Sequence, residues 1–189
     1  MDEELRVLTE RLRRESEGAP DLERLATTRD HDELAAVLTA PGRPLWAREL
    51  AAFRLGSAGD RRAFETLVLL LNHRDPPRCA TAARALARLG DPRTARAAAA
   101  LATNELRVAY ALHPVRLLIE LRAPESVPAL ITTLRRRLTP HDPFTKVALA
   151  CVEGLGALGD ARAGAVLTEA TAHPQLAAAA AAALARLPG

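Results

Sequence analysis

Aromatic residues make up only 3% of this 189-residue chain, and one lysine, Lys146, stands beside 25 arginines. Aromatic and β-branched side chains fill the pleated surface of a sheet, so their scarcity argues against a β fold. Long apolar runs are missing too. No stretch of about 18 uncharged apolar residues occurs, and the alanine-rich segment Leu176–Leu187 is too short and weakly hydrophobic to span a bilayer. The opening "MDEELRVL" lacks the apolar centre of a secretory signal, so a cytoplasmic protein without membrane contact is expected. There is no Gly-x-Ser-x-Gly elbow and no glycine-rich phosphate loop. No catalytic constellation, cofactor or metal site is therefore expected.

What is present is alanine, leucine and charge. Hydrophobic residues reach 49%, dominated by alanine, which favours helices that approach one another closely. The net charge of +3 conceals an asymmetry: residues 1–40 hold 11 acids and 6 arginines, a net −5, so the remainder is +8.

The chain also repeats itself. "FRLGSAGDRRAF" begins at Phe53, "ARLGDPRTARA" covers residues 87–97, "EGLGALGDARAG" begins at Glu153, and the chain stops on the worn version "ALARLPG". Aligned on the turn, Asp60, Asp91, Ala123, Asp160 and Gly189 fall at intervals of 31, 32, 37 and 29. A period near 30 marks a solenoid of helix pairs. The expected units are 30–59, 60–90, 91–122, 123–159 and 160–189, after an N-terminal cap over 1–29, all within a single domain. Gly59, Gly90 and Gly159 end helices where a left-handed residue is wanted, and Asp60, Asp91 and Asp160 then cap the next helix. Arg62, Arg93 and Arg162 recur in register and read as ladder residues tying neighbouring units. The unit over 106–138 departs most, lacking Gly-Asp and carrying Pro114 within its second helix, which is expected to kink that helix or break its first half.

The pattern in "AAFRLGSAGDRRA" and "AARALARLGDPRTA" resembles HEAT-like repeats of the phycobilisome-lyase type over roughly residues 30–189. The dominance of arginine reads as codon bias of a GC-rich bacterial genome. The resemblance implies an all-α, right-handed superhelix of about five antiparallel helix pairs, with a capping helix near Asp2–Glu17. It also implies that the second helices line a concave surface. Cys79 and Cys151, in different units, would then lie on the order of 20 Å apart, beyond the reach of about 7 Å that a disulfide needs. Two buried, reduced thiols are expected.

On that inner surface, Phe53, Arg84, Arg116 and Glu153 hold equivalent positions, with Thr81 and His113 a turn before and Arg88 and Glu120 a turn after. Arg84 and Arg88 fall opposite the stripe Cys79, Ala82, Leu86 and Leu89, which is expected to be the packed side. A positive groove centred on Arg84, Arg88 and Arg116, with Phe53 as an apolar neighbour, follows. His73, His141 and His173 read as turn histidines, Arg135–Arg137 as helix-end arginines, and Trp46 as packing under the cap.

These features favour a non-enzymatic protein-interaction scaffold whose groove holds an acidic or amphipathic segment of a protein partner. The alternative is nucleic-acid binding, since HEAT-like repeats with a basic concave surface occur in DNA-base-repair enzymes. The family name carries a third reading, a chaperone-like bilin lyase. The last helix, in "QLAAAAAAALARLPG", offers a methyl-covered outward side and a weak homodimer contact. Glutamates at Ala179 and Ala183 are expected to abolish that contact without disturbing the fold.

Overall fold

The structure, a computed structural model, describes residues 3–188. Asp2, the expected start of the N-terminal cap, and Gly189, the fifth aligned turn, lie outside the described residues. Among the described residues the secondary structure is helical without a strand, so the all-α expectation holds. Helices α1 (Glu3–Glu15) and α2 (Asp21–Thr27) come first. Ten helices follow in consecutive twos: α3 (His31–Thr39) and α4 (Leu45–Ser57), α5 (Phe64–Leu71) and α6 (Pro76–Leu89), α7 (Thr94–Ala102) and α8 (Leu112–Leu121), α9 (Ser126–Arg137) and α10 (Thr145–Leu158), α11 (Gly164–Ala170) and α12 (Ala177–Leu184). The chain forms two compact units, one ending at Thr94 and the other beginning at Ala95.

In the first unit α4 is the central element, packed by α1, α2, α3, α5 and α6. Its small residues let the neighbours come close. A Cβ added at Gly56 would meet Leu67 Cδ1 at 2.7 Å and Ala85 Cβ at 3.2 Å. On α6 the stripe Cys79, Ala82, Leu86 and Leu89 is buried, while Arg84 and Arg88 are exposed on the other side.

The Gly-Asp turn is a repeated hydrogen-bonded device. Gly90 and Gly159 adopt the left-handed conformation at helix ends, and Gly59 has a φ of 78°. The next aspartate then accepts from the backbone N–H two residues on: Asp60 from Arg62 (3.1 Å), Asp91 from Arg93 (2.9 Å) and Asp160 from Arg162 (2.9 Å). Each arginine folds back on its own aspartate through Nε and a terminal nitrogen, a forked geometry that a lysine lacks. Arg62 also donates to Asp32 of α3 (2.7 Å) and Arg93 to Glu65 of α5 (3.2 Å), linking successive turns within the first unit.

In the second unit α10 is central, packed by α8, α9 and α12. The departed repeat keeps the turn with different residues. Arg122 takes the left-handed conformation that glycine holds elsewhere (φ 49°), and the fully buried Ser126 hydroxyl accepts from Ala123 N–H (3.1 Å) while donating to Leu118 O (2.6 Å). Pro114 kinks no helix, but the break expected in the first half of the second helix is present. Helix α8 begins only at Leu112, so the proline lies in its first turn, where its missing N–H costs no helical bond. The preceding residues Glu105–Tyr110 form a 3₁₀ segment with non-helical backbone at Arg107.

The two cysteines are free and buried; burial pushes the Cys151 thiol up to about 12. At the C-terminal helix one expectation fails. Ala183 does not face outward: it is 2% exposed, and a Cβ on Gly156 of α10 would lie only 2.8 Å from its Cα. The exposed methyls of α12 belong to Ala178, Ala181 and Ala182.

Ala183→Glu is therefore expected to destabilise the protein by about 3 kcal/mol, because the carboxylate enters a packed helix contact without a partner. Ala182→Glu should stay within about 0.5 kcal/mol in the same urea titration. The hydrogen bonds from Arg162 also hold the Asp160 carboxyl at about 2, below its ordinary 3.8. A carboxyl depressed on folding stabilises the fold fully above that ordinary value and loses the contribution as pH falls through about 2. Carbon-detected NMR should find the Asp160 midpoint near 2 in the wild type, returning toward 3.8 in Arg162→Ala.

Candidate functional site

In the first unit the sequence-predicted face lies on α4 and α6, and α1 meets it. Leu8 and Leu12, 2% and 0% exposed, anchor α1, which packs on α4 and α2. From the ends of α1, two glutamates reach α6. Glu4 pairs with Arg88 at 2.6 Å and approaches Arg84 at 3.6 Å, and Glu15 pairs with Arg78. Arg88 also donates to Ser57 Oγ (3.4 Å).

Between those ends lies a buried carboxylate. Glu49 of α4 is 1% exposed. It receives the guanidinium of Arg11 from α1, and Arg78 Nε from α6 at 3.0 Å. Arg11 continues to Glu15 at 3.0 Å, and Arg78 lies 3.7 Å from Asp75. Burial raises the Glu49 carboxyl above its usual range, while Arg11 and then Arg78 oppose that shift. The network thus ties three helices through one carboxylate. A close reading of "LWARELAAF" contains the signal: Glu49 stands four residues before Phe53, in the apolar register of α4.

The predicted positions separate as follows. Arg84 and Arg88 are exposed and share Glu4. Thr81 is half-buried and donates to Pro77 O (2.9 Å), a bond within its own helix. Phe53 is 2% exposed and belongs to the core, so it lines no groove. It occupies the register of Arg84, but on α4, which α1 and α2 both cover. In the second unit Arg116 and Glu120 are exposed on α8, Glu153 is exposed on α10, and His113 is half-buried. That face carries both signs. The turn residues Asp60, Arg62, Asp91, Arg93, Asp160 and Arg162 are engaged in the paired turns described above.

The second unit also holds a cavity of about 760 Å³. It lies between the loop after α9 and the loop after α11, with His141 and His173 in one lining. The sequence placed these histidines in separate units; the stacking of the loops brings them together. Arg137 and Asp142 on the same wall are paired with each other at 3.1 Å, and Thr145 donates to Gln175 (2.8 Å). His73 serves its turn, its Nδ1 accepting from Asp75 N–H (3.0 Å). Arg136 reaches Thr103 O and lies 3.3 Å from Glu105, and Trp46 is half-buried. Among the described residues, no group of three or more His, Cys, Asp or Glu side chains is placed to hold a metal ion, and no helix is long and apolar enough to cross a membrane.

Residues 147–173 match the family model described as PBS lyase HEAT-like repeat. The match runs from α10 through the Gly159–Asp160 turn to the end of the following helix. No curated protein matches the chain.

Because Glu49 has one arginine from α1 and one from α6, its removal leaves two nearly buried cations facing each other, with Glu15 and Asp75 as remaining counter-charges. Glu49→Ala should cost about 3 kcal/mol in chemical denaturation, at the lower end of the range for breaking a buried pair. Glu65→Ala, which removes an exposed partner of Arg93, should cost at most about 1 kcal/mol.

Proposed function

We infer, from the succession of helix pairs and the match of residues 147–173 to the PBS lyase HEAT-like repeat, that the chain is a non-enzymatic interaction scaffold. Its α4–α6 face takes an amphipathic helical segment of a partner protein, with glutamates of that segment meeting Arg78, Arg84 and Arg88. One observation carries this reading: the face already receives such a segment in cis, since α1, with Leu8 and Leu12 buried, packs on α4 and pairs its terminal glutamates with these arginines. A surface that accommodates an amphipathic helix by apolar anchors flanked by charge pairs has the features of helix-in-groove recognition. Charge complementarity there sets orientation and association rate more than affinity. Arg116, exposed on α8, is an independent candidate contact in the second unit.

The test compares proteins captured from native cell extract by wild type, Arg84→Glu/Arg88→Glu and Arg116→Glu, each checked for folding by circular dichroism. The first double variant is expected to lose at least about ninefold of a specific partner, equivalent to roughly 1.3 kcal/mol at a charged rim. Equal capture by all three refutes the face. A parallel gel shift with duplex DNA discriminates the nucleic-acid alternative. Tight binding that weakens steeply between low and moderate salt would replace the protein-scaffold reading.

A further inference from the structure

We propose that α1 is a displaceable stand-in for the partner, which is an amphipathic helix with the facing pattern that α1 presents. This inference rests on the proposed α4–α6 face and adds both the recognition pattern and the control of access.

The pattern is read from the contacts. Glu4, Leu8, Arg11, Leu12 and Glu15 recur at spacings of four, three, one and three, which places them on one side of a helix. Each has a defined role. Glu4 meets Arg84 and Arg88, Leu8 and Leu12 are buried, Arg11 meets Glu49, and Glu15 meets Arg78. The face therefore selects a helix with glutamates at both ends, paired leucines, and an arginine beside the second leucine. A uniformly acidic helix does not satisfy Glu49.

Three features make α1 replaceable instead of merely structural. First, it carries its own ion pairs, Arg6–Glu3 at 2.6 Å, Arg13–Glu10 at 2.8 Å and Arg11–Glu15 at 3.0 Å, which favour the helix off the surface as well as on it. Second, its contacts with α6 are charge pairs, and the pairs of Glu4 have solvent access: Arg84, Arg88 and Glu4 are 53%, 37% and 29% exposed. Such pairs are weakened by salt and by competing charge. Third, Glu49 is not left alone when α1 departs, because Arg78 comes from α6. Glu17 and Gly18 both have positive φ, 51° and 79°, so the chain turns sharply just after the helix.

If the same surface binds α1 and the partner, the partner's apparent affinity is reduced by the fraction of molecules whose surface is open. Loosening α1 in cis must then strengthen binding in trans. A fluorescein-labelled peptide of residues 3–17, EELRVLTERLRRESE, serves as the probe. By anisotropy, the full chain carrying Glu4→Arg/Leu8→Asp is expected to bind it at least about tenfold more tightly than wild type. Adding Arg84→Glu/Arg88→Glu to that variant should abolish the gain. Excess unlabelled peptide should also accelerate amide hydrogen exchange in α1 of the unmodified wild type, a readout that needs no variant to fold. Equal peptide affinity for wild type and the loosened chain, together with unchanged exchange in α1, makes α1 a permanent part of the fold and overturns the proposal. So does concentration-dependent dimerisation of the wild type without peptide, which would make α1 of a second copy the occupant. Failure here, with Arg84→Glu/Arg88→Glu still losing the captured partner, removes the competition but leaves the interaction face intact.

Discussion

The carboxylate of Glu49 governs the first unit. An acid at 1% exposure is tolerated only when its charge is met, and the two guanidiniums that meet it come from helices distant in sequence. That requirement positions α1 against α4, and with it Leu8, Leu12 and the glutamates that reach α6. Replacing a whole buried ion-pair network, acid and both arginines together, by well-packed apolar side chains is often neutral or stabilising, so the network is better read as a device for register than as a source of stability. It specifies which face of α1 docks and where along α4.

The repeat itself depends on a smaller constraint, the turn between helix pairs. A left-handed residue followed by a carboxylate satisfies backbone donors that would otherwise lack partners, and the forked arginine holds that carboxylate in place. Where the sequence loses the motif, Arg122 and Ser126 reproduce the geometry by other means. The local backbone requirement persists although the residue types change. Glycines inside α4 and α10 have a different purpose, because side chains there would collide with Leu67, Ile119 or Ala183.

Much of this architecture was legible in the sequence. The period of the Gly-Asp turns gave the succession of helix pairs, and the helical wheel of α6 correctly opposed Arg84 and Arg88 to the buried stripe. What stayed illegible depends on segments that do not repeat. Phe53 and Arg84 share a register, yet one is core and the other surface, because α1 and α2 cover α4. The charge asymmetry between residues 1–40 and the remainder does not reveal by itself that Glu4 and Glu15 meet arginines of the same chain. Ala183 was assigned to the wrong side because a run of alanines has no amphipathic pattern from which to read a buried face. That His141 and His173 line one cavity follows from the proximity of two loops, which a linear reading of the two turns does not contain.

The central claim is that α1 docks on its own unit as a separable element, anchored by two leucines and joined to α6 by charge pairs. Native-state hydrogen exchange, followed across a series of salt concentrations, tests it most directly. The account predicts that the α1 amides open at a lower free energy than those of α4 and α6, and that this opening becomes easier as salt screens the pairs of Glu4 and Glu15. Exchange of α1 only together with α4 and α6, at one common free energy insensitive to salt, would contradict it.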